Sequence, residues 1–229
     1  MRLRINYQDY PYPTPTKQAK HRYRTYPLMC AFTVLLSTMN PIEKFEEWYQ
    51  AELEVSSVRI PSACCLSSIG QDGYPNARFV SLKEVVDGEF VITGPLNSRK
   101  GVELLANPKA SLVFWWPETG RQIRIQGTAL PLDTKRADQY FKGRNRDSQI
   151  VSLISQQGHE ISDPAVLTEE LQKRKSEEQS TPVRRPTEWS GFSIKPLRIE
   201  FMEFNENRLH GRELFSREGD HWNRVFLQP

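Results

Sequence analysis

Positive side chains recur in this chain at four places where a single anionic group could be received. In the strand-forming run Arg78-Phe79-Val80-Ser81-Leu82-Lys83, alternation puts Arg78, Val80 and Leu82 on one face and Phe79, Ser81 and Lys83 on the other. Two cations thus enter a strand expected to be largely buried, and buried cations call for an anion, from a carboxylate or from a ligand. In Asn97-Ser98-Arg99-Lys100-Gly101, two cations occupy the predicted first turn of a helix with Ser98 as its N-cap. Free backbone N–H groups and the helix dipole favour a negative group there, and Asp or Glu ordinarily fills that turn. Arg and Lys instead point to a bound phosphate, against the plainer reading of a solvated basic end. A third group, Tyr140-Phe141-Lys142-Gly143-Arg144-Asn145-Arg146-Asp147-Ser148-Gln149, surrounds another predicted helix start with Asp147 or Ser148 available as a cap, and reads as a second phosphate pocket. The fourth, Asn207-Arg208-Leu209-His210-Gly211-Arg212, sets Arg208, His210 and Arg212 on one side of a predicted strand and Leu209 on the other.

Other chemistries lack their residues. His21, His159, His210 and His221 show no ligand spacing, and Cys64-Cys65 lacks the intervening residues that let two thiolates share a tetrahedral metal, so no metal site is expected. There is no GxGxxG or Walker loop and no serine in a GxSxG elbow. What the residues leave is two candidate phosphate sites, at Ser98-Arg99-Lys100 and around Arg144.

The elements that carry these groups are mostly strands. Asn40-Pro41 opens a helix in which Ile42, Phe45, Trp48 and Tyr49 recur at helical spacing. Strands are predicted at 63–69, 78–86 and 89–93, with Asp72-Gly73 and Asp87-Gly88 between them as hairpin turns. A short helix from Ser98 to Leu105 precedes strands at 110–116 and 122–130, and helices at 133–142, 147–157 and 163–178 follow. The chain returns to strands at 192–204, 208–217 and 221–227. This order predicts a mainly antiparallel, closed or split barrel with peripheral helices.

The chain's 229 residues suffice for one substantial domain, placed at 40–229, and residues 1–39 read as an extended arm rich in Tyr and Pro. A net charge of +3 argues against a dedicated nucleic-acid binder, and no run approaches the roughly 18 apolar residues needed to cross a bilayer. The unpaired thiols favour a reducing, cytoplasmic setting. The basic, acid-poor leader leaves a mitochondrial presequence as the competing reading.

Taken in order, RFVSLK, NSRKG, RQIRIQG, YFKGRNRDSQI, EWSGF and NRLHGR resemble the pyridoxamine/pyridoxine 5′-phosphate oxidases, flavoproteins of the FMN-binding split-barrel class, over about residues 40–229. The resemblance implies a homodimer with FMN at the subunit interface. Arg78 and Lys83 would border the flavin, with the backbone of Phe79, Val80, Ser81 and Leu82 along it. Ile92, Thr93, Ser98, Arg99 and Lys100 would surround its phosphate, and Gln122, Gln157 and Gly158 would reach its ring or ribityl chain. Trp189 and Arg212 would complete the pocket from the partner subunit. For the substrate, Lys83, Tyr140, Arg144 and Ser148 would take the phosphate, with Arg208, Leu209 and His210 over the ring and Arg208 and His210 as the catalytic pair. The implied reaction passes a hydride from C4′ of pyridoxine or pyridoxamine 5′-phosphate to FMN, and O₂ then takes the electrons, giving hydrogen peroxide and pyridoxal 5′-phosphate. The chain departs from the family pattern at Ile92, at Gly211, at Ser190 and in a longer Gly94-Pro95-Leu96-Asn97 loop. These departures leave a second reading open, a non-catalytic or weakly active relative that binds pyridoxal 5′-phosphate.

Overall fold

The computed structural model describes residues 40–177 and 182–229, so the arm at 1–39 and the expected end of the charged helix at Glu178 lie outside the described residues. Helix α1 (Pro41–Val55) starts where Asn40 accepts the Ile42 N–H at 3.0 Å, with Pro41 supplying a preset φ at the first position. Its Phe45 and Trp48 face inward. Phe45 meets Phe90, Phe114 and Trp116 with ring centroids 4.8 to 5.9 Å apart, so α1 plugs the core. Burying an aromatic of this size stabilises the fold by about 1.5–3 kcal/mol.

Strands β1 (Ala63–Ile69), β2 (Pro75–Val86) and β3 (Glu89–Pro95) form the expected meander. Asp87 and Gly88 both have positive φ, 53° and 74°, as a two-residue hairpin turn requires. After α2 (Arg99–Ala106) come β4 (Lys109–Trp116) and β5 (Arg121–Pro131), then α3 (Thr134–Lys142), α4 (Arg146–Ile154) and α5 (Ala165–Glu177). The last strands are β6 (Trp189–Glu203), β7 (Gly211–Glu218) and β8 (His221–Phe226).

All eight strands join one antiparallel sheet in the order β3-β2-β1-β4-β5-β6-β7-β8, and β3 also pairs with β6. That added pairing, from Phe90 opposite Ile194 to Pro95 opposite Trp189, closes six strands into a barrel and leaves β7 and β8 outside it. The long β6 is the hinge of this arrangement. Its first part pairs with β3 and its second, Arg198 to Glu203, with β7. No helix among the described residues is long and apolar enough to cross a membrane.

Three expectations are corrected. Arg208, Leu209 and His210 precede β7 in a turn, with Arg208 at φ 65°, so they share no strand face with Arg212. The α4 cap is Asn145, which accepts the Ser148 N–H at 2.8 Å, rather than Asp147 or Ser148, and α4 ends at Ile154, leaving Gln157 in a loop. Strand β2 is buried on one face only, since Phe79 is 80% exposed.

Candidate active site

The start of α2 is built around close approaches. A Cβ on Gly101 would lie 2.2 Å from the Leu96 carbonyl oxygen, so only glycine lets the helix fold back on the preceding loop. Ser98, buried at the N-cap, donates to the Pro95 carbonyl at 2.6 Å and accepts from Lys100 Nζ at 3.1 Å. Lys100 lies across Gly94 and donates to the Gln157 side chain. Burial, then the nearby Arg78 guanidinium, lowers the Lys100 pKa from the usual 10.5 to about 8. An amine held among neutral acceptors and facing a second cation is a place prepared for an anion.

Arg78 itself is paired: it donates to Ser68 and, at 2.9 Å, to Glu103. Glu103 is 3% exposed and also accepts from Ser68, Asn76 and Arg99. Its burial alone would raise its pKa, but the hydrogen bonds from Ser68, Arg99 and Arg78 outweigh that and hold the carboxyl below the usual range. Arg99 does not join Lys100. Its side chain, 65% exposed, turns to Glu103 at 3.0 Å and to Asp72 at 3.8 Å, beside a hollow of about 400 Å³ that Gln71, Asn97 and Val102 also line.

A second cationic group lies along β2 and α3. The pairing of β2 with β3 shifts register between Leu82 and Glu84, and this bulge breaks the alternation expected there. Lys83 and Glu84 both border a hollow of about 260 Å³ against Tyr49 and Leu53 of α1. Tyr140 donates its hydroxyl to Glu84. Lys83 has a lowered pKa, from burial and then from the charge of Arg144, and burial lowers that of Arg144 too. The Arg144 guanidinium stacks on Trp189 at 4.9 Å and donates to the Ser148 carbonyl at 3.1 Å, while its buried Nε has no hydrogen-bond partner.

These two groups share one edge of the barrel. Trp189, under Arg144, pairs with Pro95 at the end of β3, and Ser190 pairs with Gly94, under Lys100. Of the other expected contacts on this edge, Thr93 is half-buried opposite Gly191. Ile92 is 1% exposed and Leu82 is also buried, so both point into the core and only their backbone can face a ligand.

The remaining candidates stand elsewhere. Gln122 pairs with Met202 across β5 and β6, and Met202 with Arg212 across β6 and β7. Arg212 is held by Glu200 at 2.6 and 2.9 Å and by the Gln228 carbonyl at 3.1 Å. In the turn before β7, His210 Nδ1 accepts the Asn205 N–H at 3.1 Å and the ring lies 4.8 Å from Phe204, while Arg208 and Leu209 are exposed. This group sits at the far end of β6 from Trp189. The strand has 15 residues and spans at most about 45 Å at the usual rise per residue. Trp189 and Arg212, expected to act together, are therefore at opposite ends of it. The sequence reading missed Glu84, Glu103, Arg136 and Glu200, of which the four-residue spacings of Arg99 with Glu103 and of Arg136 with Tyr140 signalled two.

Residues 52–175 match the sequence model of the family described as pyridoxamine 5′-phosphate oxidase, and residues 189–229 match the pyridoxine 5′-phosphate oxidase C-terminal dimerisation region. A pyridoxine/pyridoxamine 5′-phosphate oxidase of Thermosynechococcus vestitus is 40% identical over 190 residues, covering 83% of this chain and 89% of that protein. One from Rubrobacter xylanophilus is 40% identical over 194 residues, covering 83% and 87%. Among solved structures, PhzG from Burkholderia lata in complex with tetrahydrophenazine-1-carboxylic acid superposes with a TM-score of 0.77 at 31% identity, covering 82% of this chain and 92% of that one. A pyridoxamine 5′-phosphate oxidase-related, FMN binding protein from Nostoc punctiforme shares the fold at a TM-score of 0.67 and 12% identity, covering 83% and 99%.

Proposed function

Because this chain belongs to the pyridoxamine 5′-phosphate oxidase family, we propose that it oxidises pyridoxine and pyridoxamine 5′-phosphates to pyridoxal 5′-phosphate, with FMN as cofactor and O₂ as electron acceptor. The observation that carries this reading is the pair of cationic groups on one barrel edge, Lys100 with Arg78 and Lys83 with Arg144, each containing a lysine whose pKa burial and then the neighbouring guanidinium depress. Two neighbouring anion sites suit a phosphorylated cofactor and a phosphorylated substrate better than one extended ligand.

The residues fit FMN. Lys100, Ser98 and Arg78 would hold its phosphate, with the Gly94 backbone allowing close approach and Gln157 freed from Lys100 to face the ribityl chain or ring. Bound FMN supplies a two-electron acceptor for the hydride leaving C4′ and a route for those electrons to O₂, which becomes hydrogen peroxide. Lys83, Tyr140, Arg144 and Ser148 would fix the substrate's phosphate, so the chain's contribution is orientation rather than covalent chemistry. Arg208 and His210 would sit over the vitamin ring and orient it.

Those two residues, with Gln122 and Arg212, would reach the site from the second subunit of a homodimer. Support comes from the match of residues 189–229 to a dimerisation region and from exposed apolar side chains, Phe79, Leu209 and Phe226 among them. The reduced thiols Cys64 and Cys65 suit a cytoplasmic enzyme.

The test is direct. The purified protein, supplied with FMN, should absorb near 450 nm (the flavin band, about that value) and convert pyridoxine 5′-phosphate to pyridoxal 5′-phosphate with oxygen uptake. Flavin-loaded protein that forms no product rejects the oxidase, and pyridoxal 5′-phosphate binding retained in that protein would support the non-catalytic reading. The likeness to PhzG motivates a tricyclic carboxylate in the same assay. Turnover of that compound with none of the vitamin phosphates would move the assignment to a substrate without a phosphate.

A further inference from the structure

The pocket assigned above to the substrate's phosphate contains a guanidinium that none of the sequence motifs includes. Arg136 stands in the first turn of α3, four residues before Tyr140, so the two side chains share a helix face. Its guanidinium lies beside the Tyr140 hydroxyl, which is itself bonded to Glu84, and Glu84 and Asp133 are the carboxylates whose charge reaches Arg136. Arg136 Nη2 is buried without a hydrogen-bond partner, and so is Nε of Arg144, four residues beyond Tyr140 in the chain. Native proteins seldom leave buried guanidinium N–H groups unpaired, and the one on Arg136, whose guanidinium adjoins the Tyr140 hydroxyl, marks the position of a missing acceptor. The charges agree. Arg136 adjoins Tyr140 and Glu84, Lys83 is the next residue to Glu84 and feels the charge of Arg144, and Asp133 is engaged in capping α3.

We infer that Arg136 is a further ligand of the substrate's 5′-phosphate, and that Glu84 holds Tyr140 and Arg136 in place until the phosphate replaces it as acceptor. This rests on the oxidase reading. A phosphate dianion offers three oxygens, enough to accept from Lys83, Arg144 and Arg136 together, whereas the single carboxylate of Glu84 leaves both orphaned N–H groups unmet. Tyr140 changes acceptor without moving far, and its raised pKa, from burial and then Glu84, keeps it a proton donor throughout.

The experiment uses the FMN-loaded protein and compares Arg136→Gln, Arg136→Lys, Arg144→Gln and Glu84→Gln. Binding of pyridoxal 5′-phosphate and of unphosphorylated pyridoxal is measured by absorbance titration, and steady-state kinetics use pyridoxine 5′-phosphate. Arg136→Gln should raise the pyridoxal 5′-phosphate Kd and the KM about tenfold, as loss of one charge-assisted hydrogen bond does. It should leave kcat within about twofold, pyridoxal binding and flavin absorbance as in the parent, and Arg136→Lys should recover part of the affinity. Glu84→Gln should bind the phosphate as well as the parent or better. Parental affinity in Arg136→Gln, with Arg144→Gln impaired, overturns the role of Arg136 and leaves the oxidase reading standing. Equal losses in Arg136→Gln and Glu84→Gln overturn it too, because they make Arg136 only a prop for Tyr140. If the parent protein itself neither binds nor oxidises a vitamin phosphate, the oxidase reading fails instead.

Discussion

Lys100 gives the reading its most quantitative consequence. In the flavin-free protein its pKa is lowered to about 8 by burial and by Arg78, whereas a phosphate placed between the two cations would return it to the usual 10.5 or above. A flavin phosphate therefore binds best to protonated Lys100, and binding takes up a proton wherever the free amine has lost one. Below pH 7.5 Lys100 is mostly charged in both states and the affinity is level. Between pH 8 and 10.5 the affinity falls by about tenfold per pH unit at its steepest, which makes FMN about tenfold weaker at pH 9 than at pH 7. Near pH 8 the uptake is about half a proton per flavin. For the flavin-free fold the sign is opposite. The unfolded chain, with Lys100 near 10.5, binds more protons than the native state between pH 8 and 10.5, so this group makes stability rise with pH across that window. Quenching of FMN fluorescence by flavin-free protein from pH 6.5 to 9.5 measures the affinity, and calorimetry in two buffers of different ionisation heat measures the protons. Lys100→Met should bind weakly at every pH with the slope gone. A parental affinity that stays flat from pH 7 to 9, or an unchanged slope in Lys100→Met, refutes the reasoning.

Arg99→Ala should weaken FMN by no more than about threefold in the same titration, because its exposed guanidinium turns to Glu103 and Asp72 rather than joining Lys100, whereas Arg208→Ala should keep the flavin absorbance and lose turnover. Glu103→Gln should cost about 1–3 kcal/mol in urea unfolding, since a buried carboxylate with four donors is replaced by an amide that can satisfy fewer of them. Mixing Arg144→Ala and Arg208→Ala subunits under conditions of exchange should restore about a quarter of parental activity, because half the dimers are then mixed and each carries one intact site. Failure of two stable, exchanging variants to complement would show that Arg144 and Arg208 serve the same subunit's site.

The parts of this molecule written in local chemistry were legible in the sequence. Asp87-Gly88 can hardly be anything but a tight hairpin, and both residues adopt the positive φ that the turn demands. Lys100 stood out by its place in a first helical turn without acids, and the structure sets its amine against Ser98 and Gln157. The turn before β7 was misread because the Asn207 and Asn205 side chains satisfy the N–H and the carbonyl of Leu209, which keeps residues 208–210 out of the strand that hydropathy suggests. The carboxylates were invisible for a different reason. Glu103 lies 25 residues from Arg78 and Glu84 lies 56 from Tyr140, so only the closure of the barrel reveals that they meet.

That closure also bears on the proposed site, which asks residues from both ends of β6 to meet one substrate. Strand β6 pairs with β3 at one end and with β7 at the other, so whatever it carries near Trp189 is kept a strand's length from Met202 and its neighbours Gln122 and Arg212. A sheet cannot fold this distance away, because β6 is hydrogen-bonded to β5 along nearly its whole length. On the proposed function, bringing the Arg208 and His210 turn to the Lys83 and Arg144 edge would take a second copy related by a twofold axis, which would deliver both ends of β6 to two equivalent sites at once. On that proposal, dimerisation and catalysis would be one property. Dilution that separates the subunits should abolish turnover while leaving Lys100, Ser98 and Arg78 together, so activity should fall with protein concentration more steeply than flavin-phosphate binding does.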